Sequence, residues 1–237
     1  MQKIIIRCGG LNEIFRVIEK KQKPVIDFLN AYSVFLFKKN KNFRESITDY
    51  YYNFPDGISI SILYFLKYRK FLKRVPGPSF TEFFLKQKFA KNKKHFFLGL
   101  DKKNLIVVAK KFRLPASNLY CYNPPYIKSD IFSKKERERI SKLINKSKAD
   151  YLWVGLGNPK KEILITQIYK KINIKVIFLV GAALDFISGV KKRAPKLLCN
   201  LGLEWLYRLV TDFRYVKTKV KGSFKALFFL KNFVEFK

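Results

Sequence analysis

The chain alternates short apolar runs with longer segments in which apolar residues return every three to four positions. A run of four to six apolar residues between turn residues suits a strand covered on both faces, whereas the longer period is that of a helix with one buried stripe. Strands are therefore expected at Ile4–Arg7, Val25–Leu29, Phe96–Leu100, Asn118–Tyr122, Tyr151–Leu156 and Val176–Val180. Helices are expected at Leu11–Lys20, Ala31–Tyr51, Ser59–Lys73, Ser79–Ala90, Lys102–Phe112, Ser133–Lys148, Pro159–Lys171 and Lys196–Leu209. Ser133 stands three residues before Glu136, the spacing of a capping box, and Asn158–Pro159 sets a proline at the first position of a helix. Each later strand is followed by a helix, so βαβ crossovers are the natural connection. The pattern predicts an α/β fold: a Rossmann-like parallel sheet flanked by helices over residues 1–200, with a basic helical C-terminal appendage over 201–237. There is no internal repeat and no Gly/Ser linker.

Composition narrows this picture without deciding it. The 237 residues are 48% hydrophobic, enough to bury a full core. Fifty Lys and Arg against seventeen Asp and Glu give a net charge of +33, a field that suits nucleic acid, anionic lipid and sugar nucleotides alike. Much of it follows from a Lys, Ile, Asn and Phe excess of the kind AT-rich coding produces. Cys8, Cys121 and Cys199 lie far apart with no CxxC spacing, so they read as reduced thiols rather than a disulfide framework or zinc site. His95 is the single histidine and stands at a strand start, where a structural role fits best. The apolar part of MQKIIIRCGG is too short for a signal peptide, and no window reaches the ~20 apolar residues of a spanning helix.

The candidate chemistry lies where apolar runs break at glycines. In open α/β sheets, ligands sit at the carboxyl ends of strands, and the helix that follows presents unpaired N–H groups to phosphate. Gly155, Gly157, Asn158 and Pro159 form such a break, as do Gly181 and Asp185 after the next strand. The first suits a phosphate cradle or, equally, a bare tight turn; Asp185 suits a site residue or an N-cap. Asp56 and Gly57 follow a proline, the residues of an ordinary turn or of an exposed carboxylate. Trp205 and Tyr207 lie in an apolar helical stripe that points to core packing. In the last 25 residues, one Arg and six Lys meet one Glu, net +6, and Phe224, Leu227, Phe228 and Leu230 interleave with Lys225 and Lys231. That pattern suits a helix lying on an anionic membrane or packed on the domain.

Six blocks in order carry a resemblance. They are the run from Val25 containing Asn30, FPDGISI at Phe54 to Ile60 with RVPG at Arg74 to Gly77, HFFLGLDKKNLIVVAKKF, VGLGNPKKE, the VGAALDF and RAP block through Arg193, and GLEWLYR with Arg214 beyond it. Together they resemble the WecG/TagA/CpsF family of glycosyltransferases over most of the chain, most weakly before Val25. The resemblance implies inverting transfer of a sugar of the N-acetylmannosamine type, or a related hexose, from a UDP-sugar to a polyprenyl-diphosphate-linked acceptor. The setting implied is cell-wall, teichoic-acid-type or other surface polysaccharide synthesis, with no metal and no cofactor beyond the donor. It further implies a protein on the cytoplasmic side, peripheral to the inner face of the membrane, with an appendage that helps complete the active site.

Residue by residue, Asp56 matches the family's general base and Arg74 an arginine near the active site; Asn30 matches the family asparagine. A base near the acceptor hydroxyl and cations near the departing diphosphate are what such chemistry requires. Gly57, Gly155, Gly157, Asn158, Pro159, Gly181 and Asp185 are candidate substrate contacts, with Arg193, Arg208 and Arg214 as further cations. Two departures stand out: Phe28 replaces a usual threonine, and Lys161, before Glu162, replaces a glutamine, exchanging a donor and acceptor for a cation. They motivate an alternative, a non-catalytic member assisting a partner transferase. Nucleic acid is not an expected partner because no recognition-motif signature accompanies the charge. GLGNPK lacks the GxGxxG spacing of a dehydrogenase. Apolar faces near the appendage are expected to meet lipid or another subunit, leaving a homo-oligomer open.

Overall fold

In a computed structural model, residues 2–47 and 49–237 are described, with backbone alone at 214–216. The first half runs β1 (Ile4–Ile6), α1 (Gly10–Lys20), β2 (Val25–Leu29), α2 (Ala31–Lys39), α3 (Lys41–Ser46), β3 (Tyr51–Pro55), α4 (Ile58–Tyr68), α5 (Gly77–Lys86) and α6 (Lys88–Lys91). The second half runs β4 (His95–Leu98), α7 (Lys102–Phe112), β5 (Leu119–Tyr122), α8 (Lys134–Ser147), β6 (Tyr151–Val154), α9 (Lys160–Ile168), β7 (Val176–Leu179) and α10 (Ala183–Ile187). After it come α11 (Lys196–Asn200), α12 (Glu204–Thr211), α13 (Phe213–Leu227), α14 (Leu230–Phe233) and β8 (Val234–Phe236). The eight strands form one sheet in the order β5-β4-β6-β7-β2-β3-β1-β8, parallel at every pairing. This is the α/β, Rossmann-like architecture that the alternating runs predict. β2 lies beside β7, so the two halves of the chain meet there, and that junction is where an open sheet leaves a crevice.

Strand residues feed alternate faces of the sheet. Ile26 and Phe28 join Phe80, Phe84, Trp153 and Phe178 in one core layer, while Val25, Leu152, Leu164 and Ile177 build the layer opposite. His95 is fully buried, accepts from the Trp153 indole at 3.0 Å and lies 2.8 Å from the Ala90 carbonyl. Accepting at Nδ1 leaves Nε2 as the donor, and burial lowers its pKa, so it is the neutral structural histidine expected.

The differences from the predicted elements have local causes. The helix expected over Ala31–Tyr51 is two helices and a turn, because the Asn40 side chain caps a fresh start by accepting from Phe43 N–H. β3 went unrecognised: Tyr51–Pro55 carries Asn and Pro and shows no alternation, yet all five residues are buried. Pro159 is the N-cap of α9 rather than its first residue. Ser133 caps α8 through Glu136 N–H, but the Glu136 carboxylate accepts from Tyr122 at 2.7 Å instead of closing the box. The helix expected over Lys196–Leu209 breaks at Gly202, whose φ is +75°.

The tail is helical to Phe233 but ends as a strand on the edge of the sheet beside β1. There Ala226, Leu230 and Val234 are buried with Ile4, Ile6, Val34 and Phe37. Leu230 is therefore committed to the core, whereas Phe224, Leu227 and Phe228 stay exposed. Among the described residues, no helix is long and apolar enough to cross a membrane.

Candidate active site

A cleft of about 520 Å³ opens beyond the carboxyl ends of β2, β3, β6 and β7, four neighbours in the sheet order. Asn30 follows β2, Asp56 and Gly57 follow β3, Gly155, Gly157 and Asn158 follow β6, and Gly181 follows β7; all line it. Ladder bonds set the positions: Asp56 N–H donates to Leu29 O at 2.9 Å and Gly155 N–H to Leu98 O at 2.8 Å. The Asn30 side-chain oxygen is committed to capping α2, accepting from Tyr32 N–H at 3.0 Å and Ser33 N–H at 3.3 Å. Gly155 is required by packing, since a Cβ there would stand 2.6 Å from Leu184 Cδ1.

Asp56 and Arg74 come together as the sequence suggests. Val75 N–H donates to Pro55 O at 2.7 Å, so the chain returning from α4 runs beside the end of β3. Gly77 N–H donates to Asp56 Oδ1 at 3.3 Å. Burial pushes the Asp56 carboxyl up to about 6, helped by the nearby Glu204 carboxylate and opposed by the Gly77 bond, Arg74 and Arg193. A carboxylate that changes state near 6 can take a proton at neutral pH without holding it too weakly. Arg74 spends three N–H groups on backbone oxygens: Nη1 on Asp56 O at 3.5 Å, and Nη2 on Cys199 O at 2.9 Å and Asn200 O at 3.0 Å. It thus ties the end of α11 to the Asp56 turn, with two N–H groups unspent among the described residues.

Arg193 does not line the cleft. Its Nη2 donates to Ser79 Oγ at 2.7 Å, and its Nε lies 3.7 Å from Glu204 Oε2. Glu204 does line it, a carboxylate beside Asp56 and Asp185 that is not among the sequence-predicted site residues. The available signal was its place in GLEWLYR, in the first turn of a helix after a glycine break.

The far wall comes from α10, α12 and α13. Asp185 lies within α10 rather than at its N-cap. Burial raises its carboxyl pKa against Lys191, whose Nζ lies 3.7 Å away. Arg208 also lines the cleft, its guanidinium 5.5 Å from the centre of the Phe186 ring and its Nη2 buried without a hydrogen-bond partner among the described residues. A guanidinium at the cleft with an N–H group left over is suited to pairing with an anion. Trp205, expected in the core, is 37% exposed and lines the cleft with Phe224 and Leu227, meeting Phe224 edge-on at 5.9 Å. The Arg214 side chain lies outside the described residues.

Beneath the floor lies a charged cluster. Lys161 lines the cleft but is only 2% exposed, and its ammonium sits 2.5 Å from both Asp27 Oδ1 and Glu162 Oε1, each residue fully buried. Glu162 therefore faces inward, and neither it nor Pro159 lines the cleft. Burial raises Glu162 to about 7, with Lys161 opposing and Asp27 adding to the rise. Burial also raises Asp27, against Lys161. Asn158 Nδ2 donates to Glu162 Oε1 at 2.6 Å and to Ser33 Oγ at 3.4 Å. With both amide hydrogens spent, its carbonyl oxygen is the group left for the cleft. Phe28 sits at the floor against Phe80, ring centres 5.1 Å apart, with Gly77 over it. Among the described residues, no group of three His, Cys, Asp or Glu is placed to hold a metal ion.

A family model described as Glycosyl transferase WecG/TagA/CpsF family matches residues 6–234. That span takes in every strand but the first two residues of β1 and the last two of β8, together with the whole cleft.

Proposed function

Because this chain belongs to the WecG/TagA/CpsF family of glycosyltransferases, enzymes of cell-surface polysaccharide synthesis, we propose that its cleft transfers a hexose from a UDP-sugar to a lipid-linked acceptor, with inversion. Asp56 removes the proton from the acceptor hydroxyl as that oxygen bonds to the anomeric carbon. The bond from that carbon to the β-phosphate oxygen breaks, and UDP departs with the electron pair. The observation that carries this reading is Asp56 itself: a half-buried carboxyl raised to about 6, sharing one cleft with the GLGN turn and with Arg208, whose Nη2 has no hydrogen-bond partner among the described residues.

Arg208 is assigned to the leaving diphosphate, with the two unspent N–H groups of Arg74 as second donors. The donor is of the N-acetylmannosamine type or a related hexose, and the acceptor a saccharide on polyprenyl diphosphate, in teichoic-acid-type or related wall polymers. The exposed Phe224, Leu227 and Phe228 beside Lys225 and Lys231 suit a surface resting on the anionic inner face of the membrane, where such an acceptor presents its headgroup. The test is UDP release from a panel of UDP-sugars, with vesicles containing a short polyprenyl-diphosphate saccharide. Release that requires the lipid acceptor supports the reading; no release with any donor, together with stimulation of a separate transferase, overturns it in favour of an assisting role.

A further inference from the structure

The turn between β6 and α9 is fastened from below. Lys161 does not offer its charge to the cleft: its ammonium lies 2.5 Å from both Asp27 Oδ1 on β2 and Glu162 Oε1 on α9, and its side chain is 3% exposed. Two of its three N–H groups are thus spent inside the fold. Glu162 Oε1 takes a second donor, Asn158 Nδ2 at 2.6 Å, while the other Nδ2 hydrogen reaches Ser33 Oγ at 3.4 Å. The contact to Glu162 decides which way the amide points. An oxygen already accepting from an ammonium calls for another donor, so the amide nitrogen faces inward and Oδ1 is the group remaining at the cleft that Asn158 lines. A run of contacts then leads to the Asp56 turn. Ser33 N–H donates to the Asn30 side chain, and Asn30 abuts Gly57, where a Cβ would stand 2.9 Å from Asn30 Cβ. Asn158 is therefore linked to the side of the cleft that carries Asp56, where the anomeric carbon lies in the proposed reaction.

We propose that Asn158 is a specificity-determining residue whose carbonyl oxygen accepts a hydrogen bond from an O–H or N–H group of the transferred sugar, with Glu162 and Lys161 as positioning residues that keep this oxygen turned to the cleft. The sugar is that of the proposed transfer reaction, on which this assignment rests. An amide free to turn over offers a donor and an acceptor by turns and discriminates little. Held at both hydrogens it only accepts, and a sugar without a donor at the facing position leaves it unpaired. The lysine that stands where the family has a glutamine is thus a support for Asn158 and not itself a contact to the sugar.

The test is calorimetric binding of UDP, UDP-mannose and UDP-N-acetylmannosamine, which needs no turnover. Asn158→Ala is expected to weaken sugar-nucleotide binding about 3- to 10-fold and UDP binding less than about twofold. Glu162→Met, which leaves Lys161 paired with Asp27, is expected to show the same split. Glu162→Gln keeps an oxygen that can accept from both Lys161 and Asn158, so it is expected to restore wild-type binding of the sugar nucleotides. A loss with both sugars identifies a ring hydroxyl as the donor, and a loss confined to UDP-N-acetylmannosamine identifies the acylamino N–H. Sugar binding unchanged in Asn158→Ala, or a fall in UDP binding as large as that of the sugar nucleotides, overturns the inference; Asn158→Ala decides it even where Glu162→Met does not fold. A wild type that binds the sugar nucleotides without transferring them strikes the proposed reaction and leaves this measurement standing. A wild type that binds neither sugar nucleotide overturns both.

Discussion

The floor of the cleft and its C-terminal wall are built from different materials. The floor is four strand ends whose backbone groups are paired in the sheet, above a fully buried cluster of Asp27, Lys161 and Glu162. The wall on the C-terminal side is α12 and α13, where Trp205, Leu206, Val210, Phe224 and Leu227 remain substantially exposed, tied to the Asp56 side of the cleft through Arg74, Gly202 and the Ser79–Arg193–Glu204 contacts. The floor is held by ladder hydrogen bonds and by the Lys161 contacts to Asp27 and Glu162. The wall holds its place through a small set of contacts while presenting apolar surface and cations outward. Under the proposed reaction, a site divided in this way would hold the donor against the strand-end turns and leave the apolar wall for the lipid-linked acceptor.

The largest expected break in this contrast is on the floor. Lys161→Met leaves two buried carboxylates without their cation, and a loss of about 3–5 kcal/mol of stability is predicted by urea unfolding. Adding Asp27→Asn should recover part of that loss; a single Lys161→Met variant as stable as wild type would mean the cluster does not neutralise itself as the distances indicate. On the wall, Gly222 lets α13 lie against α2, because a Cβ there would stand 2.8 Å from Tyr32 Cδ2. Gly222→Leu is predicted to cost about 1–3 kcal/mol and to depress turnover more than it depresses UDP binding, measured by calorimetry.

A smaller effect follows from pH. Asp56, at about 6, and Glu162, at about 7, both hold their protons more tightly folded than unfolded. The stability this confers is complete below the ordinary carboxylate range and declines as pH rises through 6 to 7. Asp56→Asn should flatten that decline by on the order of 1–2 kcal/mol across pH 4 to 7, so the variant gains on wild type as pH rises. A parallel pair of stability curves would contradict the burial argument. The smallest change in stability is expected at Phe228, which is 87% exposed. Phe228→Ser should alter unfolding by less than about 0.5 kcal/mol yet weaken sedimentation with anionic vesicles severalfold.

The contrast also explains what was legible in the chain. The floor could be read because its signals are local: apolar runs such as Val176–Leu179 end at glycines, and Asp56, Gly157 and Asn158 sit at those breaks. β3 was hidden because its five residues, YYNFP, are buried by pairing with β2 on one side and β1 on the other, a nonlocal cause that leaves no alternation. The wall was harder still. Trp205 and Leu230 belong to similar apolar stripes, yet one lines the cleft and the other is 2% exposed, a distinction made only when β8 docks on the sheet edge. Lys161 was legible as a departure from its family but not as the partner of Asp27, 134 residues away. Arg74 was found as a cation near Asp56, whereas its spending on Cys199 and Asn200 carbonyls depends on where α11 ends.

The most direct measurement is single-turnover transfer from the best UDP-sugar to a vesicle-borne acceptor, wild type against Asp56→Asn, with UDP binding and folding checked in both. A general base at position 56 predicts a fall of about 10²- to 10⁴-fold in rate with UDP affinity nearly unchanged. An Asp56→Asn enzyme that transfers sugar at the wild-type rate would contradict the account.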